Sequence, residues 1–424
     1  MSAHLRANLL VAALVLIFAA ALTAQSQRRD VFVQSRNHPA IAYDTAPVNN
    51  AVSRLAQQVE AGSTTLEYDD TNGYLRSIMA ALKIPTESQT LVFSQTSFQG
   101  PLINVKNPRA VYFNDTTAVG WVRGAPVLEV AVQDPRQGVV FYAVDQTRRG
   151  KPTFARDEQC LACHLSWETL GVPGMTVQSV NPLPDEISYV IGFTTNHNSP
   201  FTQRWGGWYV TGSHGRLPHM GNVTVMPQDK GKLKLADPRE IASVEGLFDL
   251  KGYATPYSDV AALMVLDHQT QMTNFITRIG WEARLAAASP STDAALRVRE
   301  AAQDLVDYML FVDELPLPHP VSGASGFAAK FSAQGPRDGK GRSLHDLDLQ
   351  HRLLRYPCSY MIYSEAFDAL PPAAKEAVYS RLWQVLSGSE SAKRYARLTR
   401  DDRNAILEIL RTTKKDLPAY MLAN

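Results

Sequence analysis

The chain has 424 residues, of which 45% are apolar and 20% are charged, a composition typical of a globular protein with one large core or two to three ordinary domains. Its 42 lysines and arginines almost balance its 41 aspartates and glutamates. Charges of one sign form no long runs, so the charge pattern gives no reason to expect nucleic acid or an anionic membrane surface as a partner.

The first 26 residues have the pattern of an export signal. Arg6 precedes an uncharged apolar run from Ala7 to Ala24, and small and polar residues follow that run. This pattern predicts a cleaved signal peptide or an anchor in the inner membrane, with a buried N-terminal helix as the alternative. We therefore expect residues 27–424 to be periplasmic or otherwise exported.

Residues 27–235 contain helical signals first and strand signals afterwards. Two segments within residues 47–83, NNAVSRLAQQVEAG and GYLRSIMAALKI, have helical periodicity. Five short β-rich runs follow at 90–145, namely TLVFSQ, AVYFN, AVGWV, VLEVAVQ and VVFYAVD. Further strand-like runs come later, namely MTVQSV, SYVIGFT, GWYVTG and NVTVM. We predict an α+β region over 27–235.

Residues 236–424 are predicted to be mainly helical. Helical patterns cover 258–287, a segment from Ser291 or Thr292 to about 312, 371–386 and 399–413. The segment 315–343 is rich in Pro, Gly and Ser, which predicts a long loop. The fold class expected for the whole chain is therefore α+β, with a strand-rich core and a helical C-terminal portion.

The segment EQCLACHLSW, between the two sets of strands, brings Cys160, Cys163 and His164 together. On a helical turn, positions i, i+3 and i+4 share one face. Such a set suits thioether attachment of a haem with the imidazole on its iron, a dithiol redox couple, or half of a structural zinc site. The segments on either side of the motif do not contain the βαβ unit expected around a dithiol redox couple. The sequence also lacks a second close pair of ligands for zinc, so we favour haem attachment.

The Cys-x-x-Cys-His pattern resembles the attachment motif of c-type cytochromes. This resemblance implies one covalent haem c on Cys160 and Cys163, with His164 as the proximal ligand of its iron. It does not extend to the small all-helical cytochrome c fold. The segments RWGGWYVTGSHG and YPCSYMIYSEAFDALP are similar to parts of large single-haem proteins of bacterial envelopes, a likeness that carries no function.

The sixth ligand of the iron decides between electron transfer and catalysis, because an open position admits small molecules. The candidates are Met175, His214, His219, Met220, His268 and water. His268 shares an apolar helical face with Met264 and Met272, where a histidine is more often a hydrogen-bonded core residue than a metal ligand.

Other residues receive weaker assignments. Cys358 is predicted to be a small buried residue. Three histidines lie near loop signals and are assigned no role: His38, His197 and His319. Four arginines are candidates for contacts with haem propionates, although a solvated arginine is the simpler interpretation of each: Arg156, Arg204, Arg216 and Arg278.

From these features we predict an exported single-haem protein that carries electrons between redox partner proteins of the cell envelope. The first alternative is a haem-dependent oxidoreductase, peroxidase-like or oxidising a small substrate, with an open iron site. A haem-based sensor is the second alternative. No catalytic acid or base can be named from the sequence, so whether the chain is an enzyme is left open.

Overall fold

The structure, a computed structural model, describes residues 35–148, 150–181, 190–223 and 240–422. The chain divides into two compact units, residues 1–47 and residues 48–424. The described part of the first unit consists mainly of turns. The predicted export segment at 1–26 and the predicted region boundary at 235/236 lie outside the described residues.

Seven strands of the second unit form an antiparallel sheet in the order β6-β5-β4-β3-β2-β1-β9. They are β1 (Thr90–Val92), β2 (Arg109–Phe113), β3 (Thr117–Trp121), β4 (Val127–Asp134), β5 (Gly138–Asp145), β6 (Phe154–Arg156) and β9 (Trp208–Tyr209). A separate hairpin joins β7 (Val177–Val180) to β8 (Gly192–Thr195). All five strand runs predicted at 90–145 are confirmed.

One face of the large sheet is buried and is hydrogen-bonded to the N-terminal helical segment. This segment contains the helices α1 (Ala51–Glu60) and α2 (Leu75–Ala81). Asn50 caps α1 and donates to the Tyr142 hydroxyl on β5, at 3.3 Å. The opposite face is only partly buried, because Val111, Glu129 and Ala143 on it are all half-exposed.

Helices dominate the chain after residue 259. The longest is α4 (Val260–Ala288), which is buried along most of its length between the sheet and the other helices. The short α3 (Leu161–His164) precedes it, and the remaining helices are α5 (Thr292–Met309), α6 (Phe327–Ser332), α7 (Glu365–Asp368), α8 (Pro372–Leu386), α9 (Arg400–Thr413) and α10 (Ala419–Leu422). Within the described ranges, no helix is both long and apolar enough to cross a membrane.

The predicted α+β class with a helical C-terminal portion is confirmed, and three boundaries differ. Helix α4 begins after Asp259, whose carboxylate accepts from two backbone N–H groups of its first turn. Helix α5 ends at Met309, close to Phe311, which has a left-handed φ of 55° and cannot continue a helix. The predicted loop at 315–343 contains the short helix α6.

Candidate functional site

Cys160, Cys163 and His164 lie on one short helical turn. A 3₁₀ turn, Glu158–Cys160, leads directly into α3, and the Asp157 carboxylate caps it by accepting from the Gln159 N–H at 3.0 Å. The backbone of Cys160 is helical, so the three side chains have the i, i+3, i+4 arrangement. Cys160 is half-buried and Cys163 is exposed. Both thiols are free, and the more exposed of the two is Cys163.

The His164 imidazole is held in one tautomer. Its Nδ1 lies 2.9 Å from the carbonyl oxygen of Gly174, and because a carbonyl oxygen only accepts, Nδ1 carries the proton. Burial lowers the pKa of His164 despite this hydrogen bond, so the ring is neutral at pH 7. Its Nε2 then has a free electron pair, and no described residue forms a hydrogen bond with it.

The carbonyl group that orients His164 is itself fixed by α4. The Asn274 amide accepts from the Met175 N–H at 2.9 Å and donates to the Met175 carbonyl at 2.8 Å. Strand β5 adds a 3.0 Å backbone hydrogen bond to the residue before Gly174. A Cβ atom on Gly174 would lie 2.2 Å from Asn274 Oδ1, so only glycine fits here. The sheet and α4 together position this carbonyl.

The motif packs on the partly exposed face of the large sheet. Phe141 on β5 contacts the His164 ring, with 4.7 Å between ring centroids. A cross-strand row on this face consists mostly of small side chains, namely Val111, Gly120, Glu129, Ala143 and Ala155. A Cβ atom on Gly120 would lie 3.3 Å from Glu129 Oε2 and 3.4 Å from Arg109 Cδ, so these two side chains cover the glycine.

An ion pair adds charge to the same face. Arg109 contacts Glu129 at 2.8 Å, and Ser97 donates to the same carboxylate at 2.7 Å. Burial alone would raise the pKa of Glu129, but Arg109 and the hydrogen bonds outweigh it and hold that pKa below its usual range. Sequence reasoning missed Arg109, the arginine whose charge acts on His164.

The Cys160 thiol does not have the properties of a redox-active thiol. Burial, together with the negative charges of Asp157 and Glu129, raises its pKa to about 12. Reactive Cys-x-x-Cys pairs need a lowered thiol pKa, because the thiolate is the nucleophile. This environment counts against the dithiol couple.

A zinc site gains no support from the residues that the structure describes. Among them, no group of three or more His, Cys, Asp or Glu side chains is placed to hold a metal ion. A structural zinc site needs four such ligands in a tetrahedral arrangement.

Exposed apolar side chains are concentrated around the motif. Trp167 follows it directly and is 63% exposed. The next residue, Glu168, accepts from Thr194 on β8 at 2.8 Å, which ties this turn to the β7–β8 hairpin. Other large apolar residues near the hairpin and on the loop that contains Ser97 are also exposed. With Trp167, they are Phe98, Leu102, Val190 and Ile191. Such a concentration often marks a binding surface.

His268, a candidate sixth ligand, lies in the core with both ring nitrogens engaged. Its Nδ1 is 2.8 Å from Nδ1 of His197, and its Nε2 is 2.7 Å from the Ser359 hydroxyl. The side chain is fully buried. His197, to which the sequence gives no role, is therefore its buried partner. This arrangement fits the alternative prediction of a hydrogen-bonded core histidine.

The burial of His268 makes a prediction about pH. Burial lowers its pKa to about 3, so below pH 6.5 the unfolded chain binds a proton there that the folded chain does not. Stability therefore falls as the pH drops from 6.5 towards 3. Through this single site, the free energy of unfolding changes by about 1.4 kcal/mol per pH unit. We expect His268→Gln to reduce the slope by that amount.

Urea unfolding of the wild type and His268→Gln between pH 4 and pH 6.5 measures this slope. Met272→Leu, a buried substitution of similar volume on the same helix, is the control because it removes no titratable group. Equal slopes in the wild type and His268→Gln would show that His268 is protonated in the folded state.

The other histidine candidates also contact each other. His214 and His219 face each other through their Nε2 atoms at 3.2 Å, and both are buried. The Gly221 N–H donates to Nδ1 of His219 at 3.0 Å. The neighbouring Met220 is buried. Among the described residues, no hydrogen bond or ring contact links these three candidates to the motif.

Met175 lies next to the motif. It follows Gly174, whose carbonyl binds Nδ1, whereas Nε2 is the nitrogen left for a metal. Its backbone is fixed by Asn274 and its side chain is buried. The backbone of Met175 therefore lies next to the carbonyl group that binds Nδ1.

Arg204 is not a solvated arginine. It is 2% exposed, and it lies 3.8 Å from the buried Asp267 carboxylate, which also accepts from the Trp205 indole at 2.9 Å. Burial raises the pKa of Asp267 to about 6, although Arg204 opposes the shift. Trp205 thus belongs to a buried polar network. Cys358 is fully buried, which confirms its prediction.

Comparisons of the chain with models of protein families, with curated proteins and with solved structures found no match.

Proposed function

We propose that this chain is an exported single-haem c-type cytochrome that carries electrons in the cell envelope. Cys160 and Cys163 would attach one haem, and His164 would bind its iron through Nε2. Each thiol adds across one vinyl double bond, sulfur to one carbon and hydrogen to the other, so attachment needs no added oxidant. The bound haem supplies a one-electron Fe(III)/Fe(II) couple.

One observation carries this proposal: a neutral His164 donates from Nδ1 to a fixed carbonyl, beside two available thiols on the same turn. Histidines that bind metals nearly always donate their other ring N–H to a carbonyl, a carboxylate or water, which fixes the tautomer and the ring orientation. Gly174 supplies that acceptor here. This arrangement supports the proposal that His164 binds a metal through Nε2.

The surface around the motif supports a flat apolar ligand. The exposed apolar residues around the motif can cover a macrocycle. Burying apolar area contributes roughly 25 cal/mol per Å², so contact between these exposed side chains and the apolar macrocycle favours binding. The exposure of Cys163 keeps the attachment site within reach of redox partner proteins.

The second candidate function is a haem-dependent oxidoreductase with an open or water-filled sixth position. It is favoured by the placement of the predicted ligands. His268, His214 and His219 are engaged with other buried groups, and the Met175 side chain is buried. An open position would admit a small molecule such as peroxide.

Absorption spectra of the oxidised and reduced protein test the proposal. We expect the reduced protein to give the spectrum of a six-coordinate low-spin haem c that does not change with cyanide, carbon monoxide or peroxide. A low-spin iron that does not bind these molecules is suited to electron transfer. A high-spin iron that binds them would contradict the electron-carrier proposal and support the oxidoreductase. A spectrum without haem would contradict both.

A further inference from the structure

A cleft of about 450 Å³ lies in the helical part of the second unit. It is formed by the segment after α5, by residues near Arg352 and by the segment that leads into α9. Clefts of about 300–1,000 Å³ are typical of small-molecule sites. Neither the motif nor the surface around it contributes to this cleft.

Part of the cleft lining is apolar and buried. Leu310, Phe311 and Leu398 are buried residues that line it. Phe311 has a φ of 55°, a left-handed conformation that is strained for a bulky side chain. Its ring stacks on His268 and His197, with centroids 4.4 and 4.5 Å away. The buried core therefore holds this ring in place against the cleft.

A carboxyl group is built into the same lining. Glu314 is only 6% exposed, and its Oε1 accepts from the Leu353 N–H at 2.8 Å. Its Oε2 has no hydrogen-bond partner among the described residues and is not enclosed. Burial raises the pKa of Glu314 to about 7, although the Leu353 hydrogen bond and nearby arginines oppose the shift. Perturbed carboxyl groups in clefts are often functional.

The guanidinium of Arg397 lies beside Glu314. Arg352 pairs with Asp402 at 2.6 Å, and Arg394 pairs with Asp313 at 3.2 Å. Arg397 donates one N–H to the Glu314 backbone carbonyl, and its other donors have no partner in the described ranges. Glu314 and Arg397 thus line the same cleft, together with Asp348 and the exposed His351.

We propose that this cleft binds a small zwitterion with an apolar body, of the free α-amino acid class. The ligand's ammonium group would pair with Glu314 and its carboxylate with Arg397, which offers the planar donor set that carboxylates prefer. Its apolar body would lie against Phe311. This proposal does not depend on the haem, so either can fail without the other.

Isothermal titration of the full-length protein with leucine, methionine and phenylalanine tests the site. We expect at least one of them to bind. Two derivatives of that amino acid are then compared with it. The N-acetyl derivative lacks the ammonium group, and the C-terminal amide lacks the carboxylate, so each should bind at least tenfold more weakly. No binding of any of the three amino acids, or equal binding of a derivative, would overturn the proposal.

Two variants assign the contacts. Glu314→Gln keeps the shape and an acceptor for Leu353 but removes the charge, and Arg397→Gln changes an exposed side chain. We expect each to weaken amino-acid binding at least tenfold. Arg297→Gln, on the exposed face of α5, is the matched control and should bind like the wild type. Wild-type affinity in both cleft variants would contradict the assignment, and thermal unfolding checks that each variant is folded.

Discussion

Replacing both Cys160 and Cys163 by serine is expected to give a protein with no covalently bound haem. Serine keeps the size and the helical turn but supplies no sulfur for a thioether bond, so attachment is lost completely. Intact mass of the protein, purified from cells that mature c-type cytochromes, measures the result. The wild type should carry the added mass of one macrocycle, and the double variant should not.

Cys358→Ser is the matched control, because Cys358 is the one cysteine of the chain outside the motif and is fully buried. It should retain the haem mass even if the buried hydroxyl lowers stability. Haem mass that persists in the double serine variant would show that attachment does not use these sulfurs. Absence of haem from the mature wild type would remove the proposed function altogether.

Gly174→Ala is expected to weaken the bond between His164 and iron without removing the covalent haem. The added methyl would lie 2.2 Å from Asn274 Oδ1 and 3.0 Å from Thr169 Cβ, so the carbonyl that orients His164 must move. Losing such a support typically lowers metal affinity about 10- to 100-fold. The displaced packing also costs roughly 1–3 kcal/mol of stability.

Acid titration of the oxidised protein measures this loss, because protons compete with iron for Nε2 of His164. Each tenfold loss of affinity moves the midpoint for loss of the histidine-ligated spectrum up by about one pH unit, so we expect a rise of about one to two units. Gly339→Ala, at a position where a Cβ meets nothing within 4 Å, should keep the wild-type midpoint. An unchanged midpoint in Gly174→Ala would show that this carbonyl does not position His164.

Local patterns predict much of the fold, because short-range chemistry determines it. The strands at 90–145 follow from runs of β-branched and aromatic residues separated by turn residues. Helix α9 begins where Thr399 caps it, as the sequence predicts. The short strand β6 was not predicted, since its pairing with β5 depends on a neighbour that a local pattern cannot show.

The partners of buried polar groups were the hardest to predict. His268 was recognised as a histidine on an apolar face, but its partner His197 lies 71 residues away in the sequence. Arg204 was assigned to solvent because most arginines are exposed, yet its buried carboxylate partner lies on α4. Burial of a charge depends on a specific long-range contact, which composition and periodicity do not contain.

The sequence by itself determined the chemistry at the motif: two thiols and an imidazole at i, i+3 and i+4, a spacing that one helical turn places together. Only the tertiary structure decided how that imidazole is held. Gly174 accepts from His164, and Asn274 of α4 bonds to the backbone of Met175, so these hydrogen bonds form only when the turn and the helix pack together. Covalent neighbours are fixed by chain order, whereas the proton position on His164 is fixed by an acceptor that folding brings to it.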